Sequence, residues 1–158
     1  MKSRFMAFGR WVEIGEDCGR ITSLEFVRGR TGMGELLLTR LAEDAKRQIL
    51  EYEGGILKEF SLPLKLEGTP FQMAVWDSLQ QIGYGEVVSY SELAGMAGRP
   101  RAVRAAASAC AANRIPIFVP CHRVVRSDGS LGGFSCGVEL KVLLLNLEGQ
   151  KNFGLKGI

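Results

Sequence analysis

The stretch "SYSELAGMAGRPRAVRAAASACAANRIPIFVPCHRVV", residues 89–125, decides how the chain is read. Ser89 or Ser91 can cap a short helix running through Met96, because a serine hydroxyl accepts from the unpartnered amides of a first helical turn. Gly98-Arg99-Pro100 makes a turn, and a second helix is expected from about Arg101 to Ala112. Two short helices around a glycine-containing turn, the second one basic, match a helix-turn-helix, although helix pairs inside ordinary cores share the pattern. A helix that reads base edges in the major groove needs Arg, Asn or Gln along its exposed face. "AVRAAASACAA" offers alanine with the single Arg104. Small side chains allow close approach to a neighbour, which is either a core element or the minor groove of DNA.

"RIPIFV" then reads as a buried strand ending at Cys121 and His122, the only histidine of the chain. The pair does not suit zinc, since tetrahedral coordination needs three or four ligands and there is no paired-thiol spacing. Neighbours in a strand point to opposite faces, which argues against a direct thiolate-imidazole pair of the cysteine-protease type; a water or a local turn could bridge them. The plain alternative is that both residues are packed.

Outward from this stretch, 158 residues with 46% hydrophobic content suffice for one large or two small globular domains. No apolar run is long enough to span a membrane, and the first twenty residues lack an h-region and cleavage site, so a cytoplasmic protein is expected. Cys18, Cys110, Cys121 and Cys136 show no framework spacing and read as free thiols. From Arg99 to Ser127 there are six arginines and no acidic residue, which suggests a polyanion as partner.

Residues 1 to 27 read as small strands separated by "GEDCGR", "ELLLTRLAEDAKRQILEYEGG" as one amphipathic helix stopped by Gly54-Gly55, and "EFSLPLKL" as a strand before a Gly-Thr-Pro linker. "FQMAVWDSLQQI" places Phe71, Val75, Trp76, Leu79 and Ile82 on one helical face. The expected division is residues 1–67 and 68–158.

"PCHRVV", preceded by "NRIPIFV", resembles the active-site signature of the O6-alkylguanine-DNA alkyltransferases, and residues 69–149 resemble that family's C-terminal domain throughout. The resemblance implies an α/β (α+β) fold: a small ribonuclease H-like sheet-and-helix domain, then a mostly helical domain carrying the helix-turn-helix and the cysteine. It implies that Cys121 takes the alkyl group from O6-methylguanine, and from O4-methylthymine, irreversibly and once, as a methylated-DNA-[protein]-cysteine S-methyltransferase. His122 would hold the thiol proton through a water, with Glu148 orienting the imidazole. Asn113 would be the hinge before the cysteine, and Tyr90 would donate to the base. The carbonyls of Cys121 and Val124 would accept from the exocyclic amine, and Arg104 would fill the gap left by the flipped base. Ser91, Arg99, Ala102 and Ala107 are the further expected DNA contacts. The implied partner is double-stranded DNA bound through its minor groove by a monomer, with no cofactor, metal or membrane. The chain departs from the family's usual Asn-Pro with Asn113-Arg114. Two rival readings are a damage sensor of the same fold, which typically carries tryptophan at the cysteine position, and a helix-turn-helix transcription factor.

Overall fold

The computed structural model describes residues 1–28, 33–151 and 153. It has a mixed α/β fold and divides into two compact units, Met1–Leu66 and Glu67–Ile158.

In the first unit three strands, β1 (Lys2–Ala7), β2 (Arg10–Asp17) and β3 (Arg20–Val27), form an antiparallel sheet in that order. Both hairpins close with two residues of positive φ, Phe8-Gly9 and Cys18-Gly19, the primed turn geometry whose twist matches that of the strands. "GED" therefore belongs to β2, and only Cys18-Gly19 turns. The register pairs Phe5 with Val12 and Ile14 with Leu24, four residues that are all buried. Helix α1 (Arg40–Glu53) contributes Ala42, Ala45, Ile49 and Tyr52 to the core. It starts later than its apolar pattern suggests, because Thr39 accepts from the Ala42 amide at 3.0 Å. Leu36 is held outside the helix by two backbone hydrogen bonds to Arg4, at 2.7 and 2.9 Å. The strand expected over "EFSLPLKL" is reduced to one bridge, Leu64 with Ile21. Pro63 accepts there from Ile21 at 2.8 Å but has no N–H with which to extend a ladder.

The second unit is mostly helical. Thr69 and Gln72 form a capping box that starts α2 (Pro70–Gln80), with Pro70 in the first turn, where a missing amide costs nothing. Ser89, not Ser91, caps α3 (Tyr90–Met96), reciprocated by Glu92. Helix α4 spans Val103–Ala111, so Arg101 lies in the turn, where the Ala102 amide reaches back to the Arg99 carbonyl at 2.9 Å. Helices α2, α3 and α4 pack on one another. Trp76 is buried and donates its indole N–H to the Ala109 carbonyl at 2.9 Å. β4 (Val88–Ser89) and β5 (Val124–Val125) form a short parallel pair, and α5 (Val138–Leu147) closes the unit.

"RIPIFV" is not a strand. The Asn113 carboxamide oxygen accepts from the Ile115 amide at 3.0 Å, and the Val119 amide returns to the Ile115 carbonyl at 3.0 Å. Ile117 sits at φ +73°, a strained region for a β-branched residue. This tight reversal delivers Cys121–Arg123 as a single 3-10 turn, so the opposite-faces argument for adjacent strand residues does not hold here.

Trp76→Phe leaves the Ala109 carbonyl without its partner, and an orphaned buried acceptor costs about 1–3 kcal/mol. The expected outcome is a melting midpoint lower by roughly 3–10 °C with the fold retained, measured by thermal denaturation.

Candidate active site

Cys121 is buried at the wall of a cavity of about 350 Å³ lined by Tyr90, Ala107, Cys110, Ala111, Gly133, Phe134 and Ser135. One wall is α4, where Ala107 and Ala111 leave space that larger side chains would fill. Asn113 Nδ2 donates to the Val119 carbonyl at 2.9 Å and to Cys121 Sγ at 3.3 Å. Together with its bond to Ile115, these contacts make Asn113 the side-chain tie between the end of α4 and the cysteine.

The resemblance implies that His122 holds the thiol proton through a water. In the structure burial pushes the Cys121 thiol up to about 11, outweighing the Asn113 hydrogen bond and the Lys141 charge that act to lower it. At neutral pH Cys121 is a thiol, and its proton must be taken by a base.

His122 is fully buried, and its Nε2 lies 2.7 Å from Glu148 Oε2. A carboxylate can only accept, so Nε2 carries the hydrogen and Nδ1 keeps its lone pair. Nδ1 has no hydrogen-bond partner among the described residues. Burial lowers the imidazole's affinity for protons, and the hydrogen bond and charge of Glu148 partly restore it. The ring is thus neutral at rest, with a carboxylate ready to stabilise the imidazolium.

Glu148 ends α5 and also binds Arg123, from Nε to Oε1 at 2.8 Å and from Nη2 to Oε2 at 3.2 Å. The Gly85 amide adds a contact to Oε1 at 3.3 Å. Arg123 further donates to the Ile82 carbonyl at 2.6 Å. In the sequence this arginine counts as one of six in a polyanion-facing run. In the structure it is 7% exposed, turned inward by the 3-10 turn, while Arg99, Arg101, Arg104, Arg114 and Arg126 are exposed.

Tyr90 opens α3 at the cavity; burial, the largest influence, pushes its phenol up to about 12, so it is a hydrogen-bond donor throughout the neutral range. Val124 follows the 3-10 turn, and its carbonyl accepts from Lys141 Nζ at 2.6 Å. Lys141 is fully buried and absent from the residues expected from the sequence. A signal existed: in "VELKVLLLNL" it falls with Val138 and Leu145 on one helical face. Cys110, read from the sequence as a free thiol, lines the cavity, and burial pushes it up to about 12. No disulfide forms among the described residues, and these contain no cluster of metal-binding side chains.

Of the remaining expected contacts, Arg104 is exposed on α4, Ala102 immediately precedes that helix, and Ala107 faces the cavity. Arg99 is exposed and lies 5.2 Å from the Phe71 ring centre. Ser91 is exposed, its hydroxyl 3.0 Å from that of Ser127.

A thiol raised to about 11 reacts with a small electrophile through its minor thiolate fraction. Alkylation of Cys121 by iodoacetamide, followed on the Cys121 peptide by mass spectrometry, is expected to keep accelerating above pH 9.5. A plateau near pH 8.5, the ordinary cysteine value, would show that the burial does not hold the proton on.

Residues 70–150 match the family model described as "6-O-methylguanine DNA methyltransferase, DNA binding domain". The chain is 49% identical over 106 residues to the constitutive methylated-DNA--protein-cysteine methyltransferase of Bacillus subtilis (strain 168), a match covering 66% of this chain and 64% of that protein. The matched segment therefore spans just under two thirds of that relative. A methylated-DNA--protein-cysteine methyltransferase of Methanosarcina acetivorans is 46% identical over 107 residues, 68% of this chain and 69% of that one. Among solved structures, Mycobacterium tuberculosis OGT in complex with DNA superposes with a TM-score of 0.83 at 34% identity, covering 94% of this chain and 92% of that chain. With a family model spanning half of the chain and relatives similar in both sequence and fold, the chain belongs to the 6-O-methylguanine DNA methyltransferase family.

Proposed function

We propose that this protein repairs double-stranded DNA by direct reversal, transferring the alkyl group of O6-alkylguanine, and of O4-methylthymine, to Cys121. The observation that carries the proposal is the buried Cys121 thiol at a cavity of about 350 Å³, on the same turn as His122, which is paired with the buried Glu148 at the end of α5. That volume suits a single small aromatic ligand. The Cys121 proton passes through a water to His122 Nδ1, and Glu148 stabilises the imidazolium. Sulfur attacks the alkyl carbon, the S–C bond forms as the C–O6 bond breaks, and the base leaves as an anion stabilised by a hydrogen bond from Tyr90. The product thioether is a poor leaving group, so each molecule reacts once, and the step needs no cofactor.

The base has to leave the duplex to reach such a cavity. An exposed Arg104 on an alanine-rich helix supports minor-groove approach, with Arg104 occupying the vacated stack and Ser91, Arg99 and Ala102 near the backbone. The protein acts as a monomer in the cytoplasm, where its thiols stay reduced.

Incubation with an oligonucleotide containing O6-methylguanine is expected to add one methyl to the protein, located on Cys121 by mass spectrometry, with repair stopping at one methyl per molecule. Cys121→Ala is expected to bind the lesion without transfer. Turnover beyond one equivalent, or methylation elsewhere, would refute the reading.

Arg104→Ala is expected to slow repair of duplex DNA much more than alkylation by free O6-benzylguanine, which needs no flipping. Equal losses on the two substrates would assign Arg104 to the fold.

A further inference from the structure

Two thiols line one cavity, and the transfer step uses only Cys121. Cys110, near the C-terminal end of α4, lines the same space of about 350 Å³ and is likewise buried. Its thiol is free, with no side-chain hydrogen bond among the described residues. Asn113 holds the two cysteines in a fixed relation: its amide donates to the Cys110 carbonyl at 3.2 Å, and its Nδ2 donates to Cys121 Sγ at 3.3 Å. Beyond burial, which is the largest influence, charge on Cys121 disfavours ionisation of Cys110, and charge on either cysteine disfavours ionisation of Tyr90. The three groups thus lie within electrostatic reach of one another.

A methyl group on Cys121 gives a second thiol nothing to attack, because the thioether is a poor leaving group. An alkyl group that carries a leaving group of its own behaves differently. Once a 2-haloethyl group sits on Cys121, the sulfur lone pair displaces the halide and closes a three-membered episulfonium ring. That ring is a soft electrophile formed inside the cavity, and a thiol is the side chain best matched to it. Tyr90 and Ser135 offer only hydroxyls there. The ammonium of Lys141 is engaged by the Val124, Leu131 and Gly133 carbonyls. Cys136 follows Ser135 in the chain, but the cavity wall is made by Ser135.

We propose that Cys110 is a second acceptor, which captures 2-haloethyl groups after their transfer to Cys121 and closes a two-carbon bridge between the two sulfurs. The first S–C bond forms as the C–O6 bond of the base breaks. Halide then leaves as the episulfonium closes. The Cys110 sulfur attacks a ring carbon, one S–C bond of the ring breaks, and the Cys110 proton passes to water. After the transfer the net change is loss of hydrogen halide, with no oxidant or reductant involved. The inference rests on the alkyltransferase reading above and extends it to lesions whose alkyl group stays reactive on the protein. The bridge consumes an electrophile that would otherwise meet water or the bound DNA.

The test incubates the protein with an oligonucleotide containing O6-(2-chloroethyl)guanine, then reduces it, digests it with trypsin and examines the peptides by mass spectrometry. Cleavage after Arg104, Arg114 and Arg123 puts the two cysteines on separate peptides, "AAASACAANR" and "IPIFVPCHR". The expected product is these two peptides joined through an ethylene group, a link that reduction does not break. It is expected to exceed the 2-hydroxyethyl form of the Cys121 peptide by roughly tenfold or more, because a nucleophile held beside the electrophile outcompetes water. Cys110→Ser is expected to give no joined peptide and to leave 2-hydroxyethyl on Cys121. Should that variant fail to fold, Cys110→Ala takes its place with the same expectation. A wild-type Cys121 peptide carrying chloroethyl or hydroxyethyl, with no joined peptide, overturns the inference and leaves the alkyltransferase reading standing. A bridge from Cys121 to the peptide of Cys136 does the same. A protein that accepts neither the chloroethyl group nor a methyl group from O6-methylguanine DNA removes both.

Discussion

A single carboxylate organises the second unit. Glu148 receives His122, both nitrogens of the Arg123 fork and the Gly85 amide, so the C-terminal end of α5, the 3-10 turn of Cys121 and the turn after α2 meet at two oxygens. A buried carboxylate is tolerated only when its acceptor positions are filled and its charge is balanced, and Arg123 supplies the balance. This has a chemical consequence. With the arginine in place, the imidazole can remain neutral beside an anion, which leaves it a base.

A second constraint is backbone reversal. The chain between α4 and Cys121 turns back within a few residues, with Ile117 in the left-handed region and Asn113 providing the hydrogen bonds. The left-handed isoleucine is unfavourable alone and is held by the surrounding bonds. The result is a thiol fixed in orientation before any ligand arrives. Pro116 accounts for part of the reversal by fixing one φ angle; Arg114, where the resemblance implies proline, is exposed.

Much of this was legible beforehand, for reasons that are local. Ser89 with Glu92 and Thr69 with Gln72 are capping pairs readable from spacing alone, and the starts of α3 and α2 follow from them. Cys121 and His122 stand out in the sequence as neighbours, but Glu148 is joined to them only through the resemblance, since spacing cannot join residues 26 positions apart. The errors arose where long-range contacts overrule composition. The apolar run Leu36–Leu38 looks helical, yet Leu36 pairs with Arg4. Arg123 looks like a surface cation until a carboxylate from α5 claims it. The raised ionisation of Cys121 was not legible either, because desolvation depends on the packing around the thiol, which no local pattern encodes.

Burial of the sulfur has a meaning beyond the reaction rate. A cysteine ionising near 8.5 would be about 3% thiolate at pH 7, whereas one near 11 is about 0.01% thiolate, and the thiolate is the form that oxidants and stray electrophiles attack. Under the proposed single transfer, each such encounter would cost one whole molecule. A sulfur that keeps its proton at rest is shielded from such losses until it is called on.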